Sequence, residues 1–377
     1  MIRILHIVGT MNVGGAETWL MHVLRHIDRQ KFQMDFCCLS GEPGIYAPEI
    51  ESLGSRVFPC KLTKNLFSFN KRFKKILRAG RYHVVHSHVH HFSGYVLCLA
   101  ASEGIPIRIS HSHITNDGKK NTTFRKFYRK LQGKWIYRYA TYGLGASSAA
   151  AAALFGPTWQ SDNRFQILRC AIDLKPFRVQ INPAALRAGL AIPPYALVVG
   201  HVGRFDEQKN HLFLVDIVTE LAKRSQKEIL LMVGDGPLRP IIKEKVVEAG
   251  LEDRIIFAGV RSDVPNLMMG VMDLFCMPSL YEGLPVAAIE AQAAGLRCVI
   301  STDVTPEVDI VPGAVSFLPR SAGAAAWAEV ICQKMKAGRI DAANASEAIR
   351  NKGFDVESSL ESLMRLYIPA EHADRNS

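Results

Sequence analysis

Two cationic residues follow an apolar strand segment in the second half of the chain. Arg204 comes just after the segment 196–202, and Lys209 lies five residues further on, where a helix is predicted to begin near Leu212. A guanidinium, an ammonium and the N–H groups of a helix N-terminus all favour anions, and each charged hydrogen bond contributes roughly 1.5 to 3 kcal/mol. The spacing predicts a diphosphate site, although solvated surface cations would give the same pattern.

Two carboxylates eight residues apart form a second candidate group. Glu282 precedes Pro285, which favours the first position of a helix, so Glu290 is predicted to lie on that helix. The Glu282 carboxylate and the backbone N–H groups of Gly283 and Leu284 can bind hydroxyl groups, whereas Glu290 on an apolar face needs a polar partner. A glycosidase acid and nucleophile pair is an alternative, but no other barrel or cleft signal supports it.

A glycine pair, Gly14 and Gly15, follows the first predicted strand. The surrounding loop has neither the G-x-G-x-x-G fingerprint of dinucleotide-binding proteins nor the Lys and Ser/Thr of a P-loop. Glycines at a helix start let backbone N–H groups approach an anion, and the helix dipole adds ~0.3 to 1 kcal/mol. A tight turn without a ligand explains the loop equally well.

The elements that must position these residues alternate regularly. Strand-length apolar runs, such as 2–8, 34–39 and 274–277, are each followed by a segment of helical period, a rhythm typical of parallel sheets covered by helices. In such sheets ligands bind beyond the carboxyl ends of the strands, where the candidate residues lie. Four prolines between 173 and 195 predict an irregular linker.

Composition and charge limit the class of protein. The 377 residues allow two or three domains, and 48% hydrophobic with 21% charged residues is typical of a folded globular chain. Residues 1–175 carry a net charge of +15 and the remainder −4, which indicates an anionic partner for the first half. No apolar run reaches the length of a membrane span, and the start lacks a signal-peptide pattern. The eight cysteines form no C-x-x-C. A cytoplasmic protein with buried thiols is therefore expected.

Taken together, the motifs resemble family 4 of the retaining glycosyltransferases, in particular the bacterial exopolysaccharide and capsule branch. The likeness covers nearly the whole chain and is carried by Gly14-Gly15, Phe155-Gly156, Ile172-Asp173-x3-Phe177, Gly203-Arg204-x4-Lys209, Gly234-Asp235-Gly236-Pro237 and Glu282-x7-Glu290. It implies an α/β protein of the GT-B fold, with two Rossmann-like parallel-sheet domains facing a central cleft. Residues 1–175 would form the acceptor-side domain, 176–356 the nucleotide-sugar domain, and a helix at about 357–377 would pack back on the first.

The resemblance also implies roles for single residues. Arg204 and Lys209 would bind the donor diphosphate, Glu290 the ribose hydroxyls, and Glu282 with the next two backbone N–H groups the donor sugar. Gly14 and Gly15 would close over the phosphates from the other domain.

In the family a histidine after a first-domain strand lies near the donor sugar. His111 and His113 are both candidates here, with His111 slightly preferred. One departure is Cys170-Ala171, where relatives often carry Asn-Gly.

The histidines 86, 88, 90 and 91 lie within six residues, and in a strand the first three would share one face. A metal site is disfavoured because no nearby Cys, Asp or Glu completes a ligand set. The family needs no metal or cofactor, since cations and helix dipoles neutralise the diphosphate. No metal ligand is therefore expected.

The basic first half contains a segment, 122–138, that predicts an amphipathic helix. Phe124, Phe127 or Tyr128, Leu131 and Trp135 recur at helical spacing against a cationic face, which is typical of helices on anionic membrane surfaces. An ordinary surface helix packed on its own sheet is the alternative. Nucleic acid is a poorer candidate because no recognition module is visible.

These observations lead to one functional hypothesis. The chain is expected to be a metal-independent retaining hexosyltransferase that moves a sugar from a nucleotide-diphosphate sugar, with UDP the expected nucleotide, to a lipid-linked glycan. It would work at the inner face of the cell membrane in exopolysaccharide, capsule or lipopolysaccharide synthesis. A nucleotide-sugar 2-epimerase on the same fold and a non-catalytic partner subunit remain alternatives.

Overall fold

The computed structural model describes residues 1–115, 122–225 and 227–368. The described chain divides into two compact units. The first comprises Met1–Ala171 and the residues from Val356 onward, and the second comprises Ile172–Asp355.

The first unit is built on a parallel sheet with seven strands among the described residues, in the order β3-β2-β1-β4-β5-β6-β7. The strands are β1 (Ile2–Val8), β2 (Phe32–Cys38), β3 (Val57–Pro59), β4 (Val84–Ser87), β5 (Ile107–Ser112), β6 (Tyr142–Gly145) and β7 (Phe165–Ile167). β1 and β4 are neighbours, with His6 paired directly to His86. The strand order of the sheet reverses between β1 and β4, so ligand-binding loops are expected at the carboxyl ends of these two strands.

Helices pack against this sheet and share its core. They are α1 (Gly15–His26), α2 (Ala47–Ser52), α3 (Leu66–Gly80), α4 (Ser93–Ser102), α5 (Thr123–Tyr139) and α6 (Ser148–Phe155). Polar side chains cap their first turns: Asn65 accepts from the Ser68 N–H at 3.1 Å, and Ser147 accepts from the Ala150 N–H at 3.1 Å. The stacked rings of Phe69 and Phe73 lie in the buried core between the helices and the sheet.

The second unit has the same plan, with six strands in the described residues in the order β10-β9-β8-β11-β12-β13. The strands are β8 (Leu197–Val202), β9 (Glu228–Val233), β10 (Ile255–Gly259), β11 (Leu274–Met277), β12 (Arg297–Ser301) and β13 (Val315–Leu318). The helices are α7 (Pro183–Gly189), α8 (His211–Arg224), α9 (Arg239–Glu248), α10 (Val264–Gly270), α11 (Val286–Ala293), α12 (Gly323–Lys336) and α13 (Ala342–Asn351). The predicted arrangement of two parallel-sheet domains is confirmed.

The expectation of an irregular linker over 173–195 is wrong in part. The chain forms α7 in this segment, because Pro183 stands at the first helical position, where its fixed φ and missing N–H cost nothing. Asn182 caps the helix by accepting from the Ala185 N–H at 3.1 Å. Proline density alone does not distinguish a helix start from a break.

The last described helix, α14 (Val356–Tyr367), belongs to the first unit and packs against α1. Ser359 donates to the Arg169 carbonyl at 3.1 Å, and Tyr367 at the helix end is fully buried. The predicted helix at about 357–377 thus corresponds to α14 as far as Tyr367. Residues 369–377 lie outside the described part of the chain.

A buried amide fixes α11, the helix that carries Glu290. The Gln292 side-chain nitrogen donates to the carbonyls of Ala288 and Val308 at 3.0 and 2.8 Å. Its oxygen accepts from the N–H groups of Ile310 and Val311 at 3.1 and 3.0 Å. A single side chain therefore satisfies three backbone groups of the loop after β12 and attaches that loop to the helix.

Replacing Gln292 by Leu should destabilise the second unit strongly. Two buried N–H groups and a carbonyl would lose their partners, and each orphaned group costs about 1 to 3 kcal/mol. We expect a loss of roughly 3 kcal/mol or more in urea unfolding. The matched control Gln333→Leu, on the exposed face of α12, should stay within about 0.5 kcal/mol of the parent, and equal losses in both variants would contradict this account.

Candidate active site

Two loops at the carboxyl ends of β8 and β11 carry most of the predicted site. These strands are neighbours and mark the point where the strand order of the second sheet reverses. The loop 203–210 follows β8 and the loop 278–285 follows β11. The Leu280 N–H donates to the Gln208 carbonyl at 2.8 Å, and the Asn210 side chain donates to the Pro278 carbonyl at 3.3 Å. The loops are therefore fixed to each other by backbone and side-chain bonds.

A buried ion pair joins the same two loops. Lys209 Nζ donates to Glu282 Oε1 at 2.6 Å, and the two side chains are only 16% and 8% exposed. Gln208 donates from its amide to Glu282 Oε2 and to the Tyr281 carbonyl, both at 3.0 Å. The Glu282 carboxylate is thus held by a cation and an amide, and two of the three ammonium protons of Lys209 are not used by this bond.

Arg204 lies on the same loop, and its side chain is exposed. The neighbouring residue Phe205 is fully buried and fixes the loop from beneath. Its N–H donates to the Asp235 carbonyl, and its carbonyl accepts from the Leu238 N–H, both at 3.0 Å. A Cβ at Gly236 would lie 2.5 to 2.8 Å from the Phe205 backbone, so the turn that contains Asp235 requires glycine there. The guanidinium is carried on a rigid loop with its charged end in solvent.

Glu290 lies on α11 as predicted and is partly buried. Desolvation raises the pKa of its carboxyl group from the usual 4.5 to about 7. Gly283 and Leu284 lie buried beside Glu282 at the start of the same segment. The structure therefore places all six predicted residues of the second unit on the β8 and β11 loops or on α11: Arg204, Lys209, Glu282, Gly283, Leu284 and Glu290.

Sequence reasoning missed a pair of buried histidines in this unit. His201 on β8 donates from Nδ1 to the Cys276 carbonyl at 2.8 Å, which leaves a lone pair on Nε2. A Cβ at Gly203 would lie 3.2 Å from that nitrogen and 3.1 Å from the Lys209 chain, so the imidazole adjoins the lysine. Burial, with the charge of Lys209, lowers the pKa of His201 to about 4, and the pKa of the neighbouring His211 falls to about 2. Both rings are neutral and add no charge beneath Lys209. In the sequence, the apolar residues that flank them are the only sign that these two histidines are buried.

Gly14 and Gly15 stand at the start of α1, where Gly14 is the N-cap in an extended conformation. Gly15 is exposed, and the Glu17 carboxylate lies close to Gly14, since a Cβ at Gly14 would collide with it. Backbone N–H groups at a helix start favour anions. Their role in binding donor phosphates stays a prediction.

His111 and His113 belong to a histidine cluster in the first unit, formed by His6, His86, His88, His111 and His113. The rings pack against one another across β1, β4 and β5, with a centroid separation of 4.0 Å between His111 and His113. His111 is fully buried, whereas His113 just beyond β5 is partly exposed. Which of the two contacts a donor sugar stays a prediction.

The grouping of His86, His88 and His90 on one strand face is wrong. β4 ends at Ser87, and His90 has a φ of +51° and begins a short 3₁₀ turn. The partners of His86 and His88 come instead from β1 and from the end of β5, at positions far away in the sequence. Cys170, the departure from the family pattern, contacts this cluster through its sulfur, 3.3 Å from His113 Nδ1.

The basic segment 122–138 forms α5, but its apolar residues do not share one exposed face. Trp135 stacks on Tyr95 of α4 at a centroid distance of 5.8 Å, and Leu131 is partly buried. Phe124 and Phe127, at the start of the helix, are 80% and 66% exposed. The helix therefore packs on its own unit toward its C-terminus and exposes two aromatic rings near its N-terminus. Across the described ranges of the chain, no helix has both the length and the apolar character to cross a membrane.

Two protein families match consecutive parts of the chain. Residues 13–175 match the family described as Glycosyltransferase Family 4, and residues 196–336 match the family described as Glycosyl transferases group 1. The first match covers most of the first unit and the second covers the loops that carry Arg204, Lys209 and Glu282.

Curated relatives match the chain over most of its length. EpsF of Bacillus subtilis, which carries the name of a glycosyltransferase, is 34% identical over 99% of this chain and 98% of its own. The capsular polysaccharide biosynthesis glycosyltransferase CapH of Staphylococcus aureus is 30% identical over 77% and 79%. An Escherichia coli enzyme named as a UDP-Gal:α-D-GlcNAc-diphosphoundecaprenol α-1,3-galactosyltransferase is 24% identical over 80% and 79%.

The fold is also that of solved glycosyltransferase structures. HepE of Anabaena, solved in complex with UDP and glucose, superimposes with a TM-score of 0.77 over 97% of this chain and 99% of its own, at 18% identity. This likeness extends to the fold only. With the near full-length match to EpsF and the two family matches, it shows that the chain is a GT-B protein and belongs to the group 1 and family 4 glycosyltransferases.

Proposed function

We propose that the protein transfers a hexose from a UDP-sugar to a lipid-linked glycan, with retention of the anomeric configuration, in the synthesis of an exopolysaccharide or capsule. The observation that carries the proposal is the rigid pair of loops in which Lys209, bonded to Glu282, lies on the same loop as the exposed Arg204. A fixed ammonium and a solvent-facing guanidinium suit a diphosphate that gains negative charge as it leaves.

The choice of donor and acceptor is supported by the relatives. The galactosyltransferase of Escherichia coli is named for a UDP-sugar donor and a diphosphoundecaprenol acceptor, and CapH for capsular polysaccharide synthesis. EpsF, which matches along nearly the full length of this chain, supports assignment to the same general branch.

The proposed chemistry depends on charge stabilisation and positioning. The sugar–phosphate bond breaks through an oxocarbenium-like state, the acceptor hydroxyl attacks the same face, and its proton leaves with the departing diphosphate. Lys209 and Arg204 neutralise the developing phosphate charge, which removes the need for a metal ion at the diphosphate. Glu282 accepts a hydrogen bond from a hydroxyl of the donor sugar, and Glu290 accepts hydrogen bonds from the ribose hydroxyls.

The membrane component of the proposal depends on the start of α5. Phe124 and Phe127 are exposed, and Lys126 and Lys130 between and beyond them are exposed cations. Aromatic rings flanked by lysines bind the headgroup region of anionic bilayers, where burial of a ring and attraction of each cation both contribute. This arrangement would bring the enzyme to a lipid-linked acceptor.

Lys209→Ala should lower sugar transfer by about 100- to 1000-fold. The lost ammonium would leave the diphosphate less well neutralised in the transition state and would also remove the main partner of Glu282. We would measure transfer from UDP-glucose and UDP-galactose to an undecaprenyl-diphosphate-linked sugar, and determine the anomeric configuration of the product by NMR. Lys223→Ala, which alters an exposed lysine of α8, is the matched control.

Near-normal transfer by a folded Lys209→Ala protein would overturn the assignment of the diphosphate site. An inverted product would overturn retention. Conversion of UDP-sugar to an isomer in the absence of acceptor would instead identify a 2-epimerase.

The affinity for UDP-glucose should rise several-fold between pH 6 and pH 8. The Glu290 carboxyl group has a pKa of about 7. It is therefore neutral at the lower pH and becomes a stronger, charge-assisted acceptor for the ribose hydroxyls at the higher pH. Calorimetric titrations should show a flat profile for Glu290→Gln and an unchanged profile for Glu329→Gln, an exposed residue of α12. A rise that persists in Glu290→Gln would exclude Glu290 as its origin.

The double variant Phe124→Ser/Phe127→Ser should bind phosphatidylglycerol vesicles at least tenfold more weakly than the parent. Both rings would be lost from the interface, where full burial of a ring contributes about 1.5 to 3 kcal/mol. Sedimentation of the protein with vesicles measures the effect, and binding should also fall as salt rises. Tyr195→Ser replaces a 69% exposed aromatic residue of the second unit and serves as control. Equal binding of the double variant and the parent would argue against this docking surface.

A further inference from the structure

A cavity of about 630 Å³ lies in the second unit, between the first turns of α8 and the residues that follow β12 and β13. The described residues that line it include none of the six residues of the candidate active site. Ligand sites in proteins commonly measure roughly 300 to 1,000 Å³. In open α/β sheets such sites lie beyond the carboxyl ends of the strands, as this cavity does. The transfer chemistry proposed above gives it no function.

The cavity is lined mainly by groups that form hydrogen bonds with hydroxyls. Carboxylates supply acceptors, a guanidinium supplies donors, and an amide and two hydroxyls supply both. These side chains belong to Asn210, Asp216, Thr302, Asp303, Arg320 and Ser321. A ligand with several hydroxyl groups can therefore use each of its hydroxyls as a donor or as an acceptor.

The charges in the lining argue against an ionic ligand. Arg320 donates from Nε to Asp303 at 2.8 Å, which lowers the pKa of that carboxyl group and keeps it ionised at neutral pH. Asp216 Oδ1 lies 2.6 Å from Lys245 Nζ. A metal ion would have to displace one of these cations. Among the described lining residues Arg320 is the only cation and faces two carboxylates, which disfavours a phosphate as well.

One part of the lining is apolar and fixed in position. The half-buried ring of Phe213 packs edge to face on the buried Trp327, with a centroid distance of 5.7 Å. Trp327 Nε1 donates to the Pro319 carbonyl at 3.2 Å, and the Thr302 N–H donates to the Leu318 carbonyl at 3.2 Å. An aromatic ring among polar groups suits a pyranose, which has an apolar C–H face and hydroxyls around its edge. Because the lining is already ordered, binding would cost little conformational entropy.

We propose that this cavity binds a neutral saccharide unit of a glycan chain, at a site distinct from that of the transferred sugar. A second attachment point raises the effective concentration of a glycan at the enzyme without any change in the reaction itself. Saccharide binding here goes beyond the proposed transferase function, and only the origin of the glycan rests on that function.

The test is saccharide binding by the full chain in the presence of saturating UDP, which occupies the candidate donor site. The probes are the methyl glycosides of glucose, galactose and N-acetylglucosamine, and the disaccharide of galactose and N-acetylglucosamine. Saturation-transfer NMR should detect binding of at least one probe, and added salt should not weaken it, because the ligand is neutral. Binding of none of the four probes, or displacement of the bound probe by inorganic phosphate or Ca²⁺, would overturn the proposal.

Two variants locate the bound saccharide. Asp216→Ala should bind the probe at least tenfold more weakly, since a charged acceptor is lost. Phe213→Leu keeps an apolar contact with Trp327 but removes the ring, and should bind about threefold more weakly. The matched control is Glu220→Ala, which removes another carboxylate of α8, paired with Lys223 at 2.6 Å, and should bind like the parent. Equal affinities in the parent and in folded Asp216→Ala and Phe213→Leu proteins would refute the assignment.

Lys209→Ala separates this site from the candidate active site. It should lose sugar transfer and still bind the probe like the parent. Loss of probe binding in Lys209→Ala would place the saccharide in the candidate active site and reject the cavity. A parent chain without transferase activity whose probe binding depends on Asp216 would contradict the proposed function alone.

Discussion

The bond between Lys209 and Glu282 is the interaction on which the candidate active site depends. It crosses from the β8 loop to the β11 loop, and both side chains are almost excluded from water. A buried charge without its partner is strongly unfavourable, so each loop stabilises the position of the other. The Gln208 amide and the backbone bond to Leu280 support the same junction. The site is therefore preorganised in the absence of ligand, which is the property that electrostatic catalysis requires.

Much of the fold follows from local sequence patterns. β1 and β11 have the predicted limits, because short apolar runs flanked by turn residues have few other solutions in a parallel sheet. The prediction for the segment with Pro183 is wrong in part, because a proline can begin a helix as well as interrupt one. The site residues Arg204 and Glu282 could be placed on loops after strands, because the strand positions define the sheet edge at which such loops meet.

The partnerships within the sites could not be predicted from spacing. Lys209 and Glu282 are 73 positions apart, and their contact requires β8 and β11 to be neighbours. The same holds for the histidine cluster, where His6 faces His86 only through the register of β1 and β4. The sequence shows one segment that is dense in histidines, but it does not show that histidines from two other segments join the same cluster. Strand order, which depends on packing of the whole sheet, supplies the missing information.

The return of α14 to the first unit has a consequence for how the protein is made. A ribosome releases Met1–Ala171 long before α14, so the whole second unit emerges between the two parts that must pack together. Until Tyr367 arrives, His86 Nδ1 lacks the hydroxyl that it bonds in the folded protein, and α1 lacks the helix that packs against it. During that interval the incomplete first unit can bind chaperones or associate incorrectly. Truncations or fusions that disturb α14 will therefore act mainly on the folding of the first unit, although α14 lies near the other end of the polypeptide.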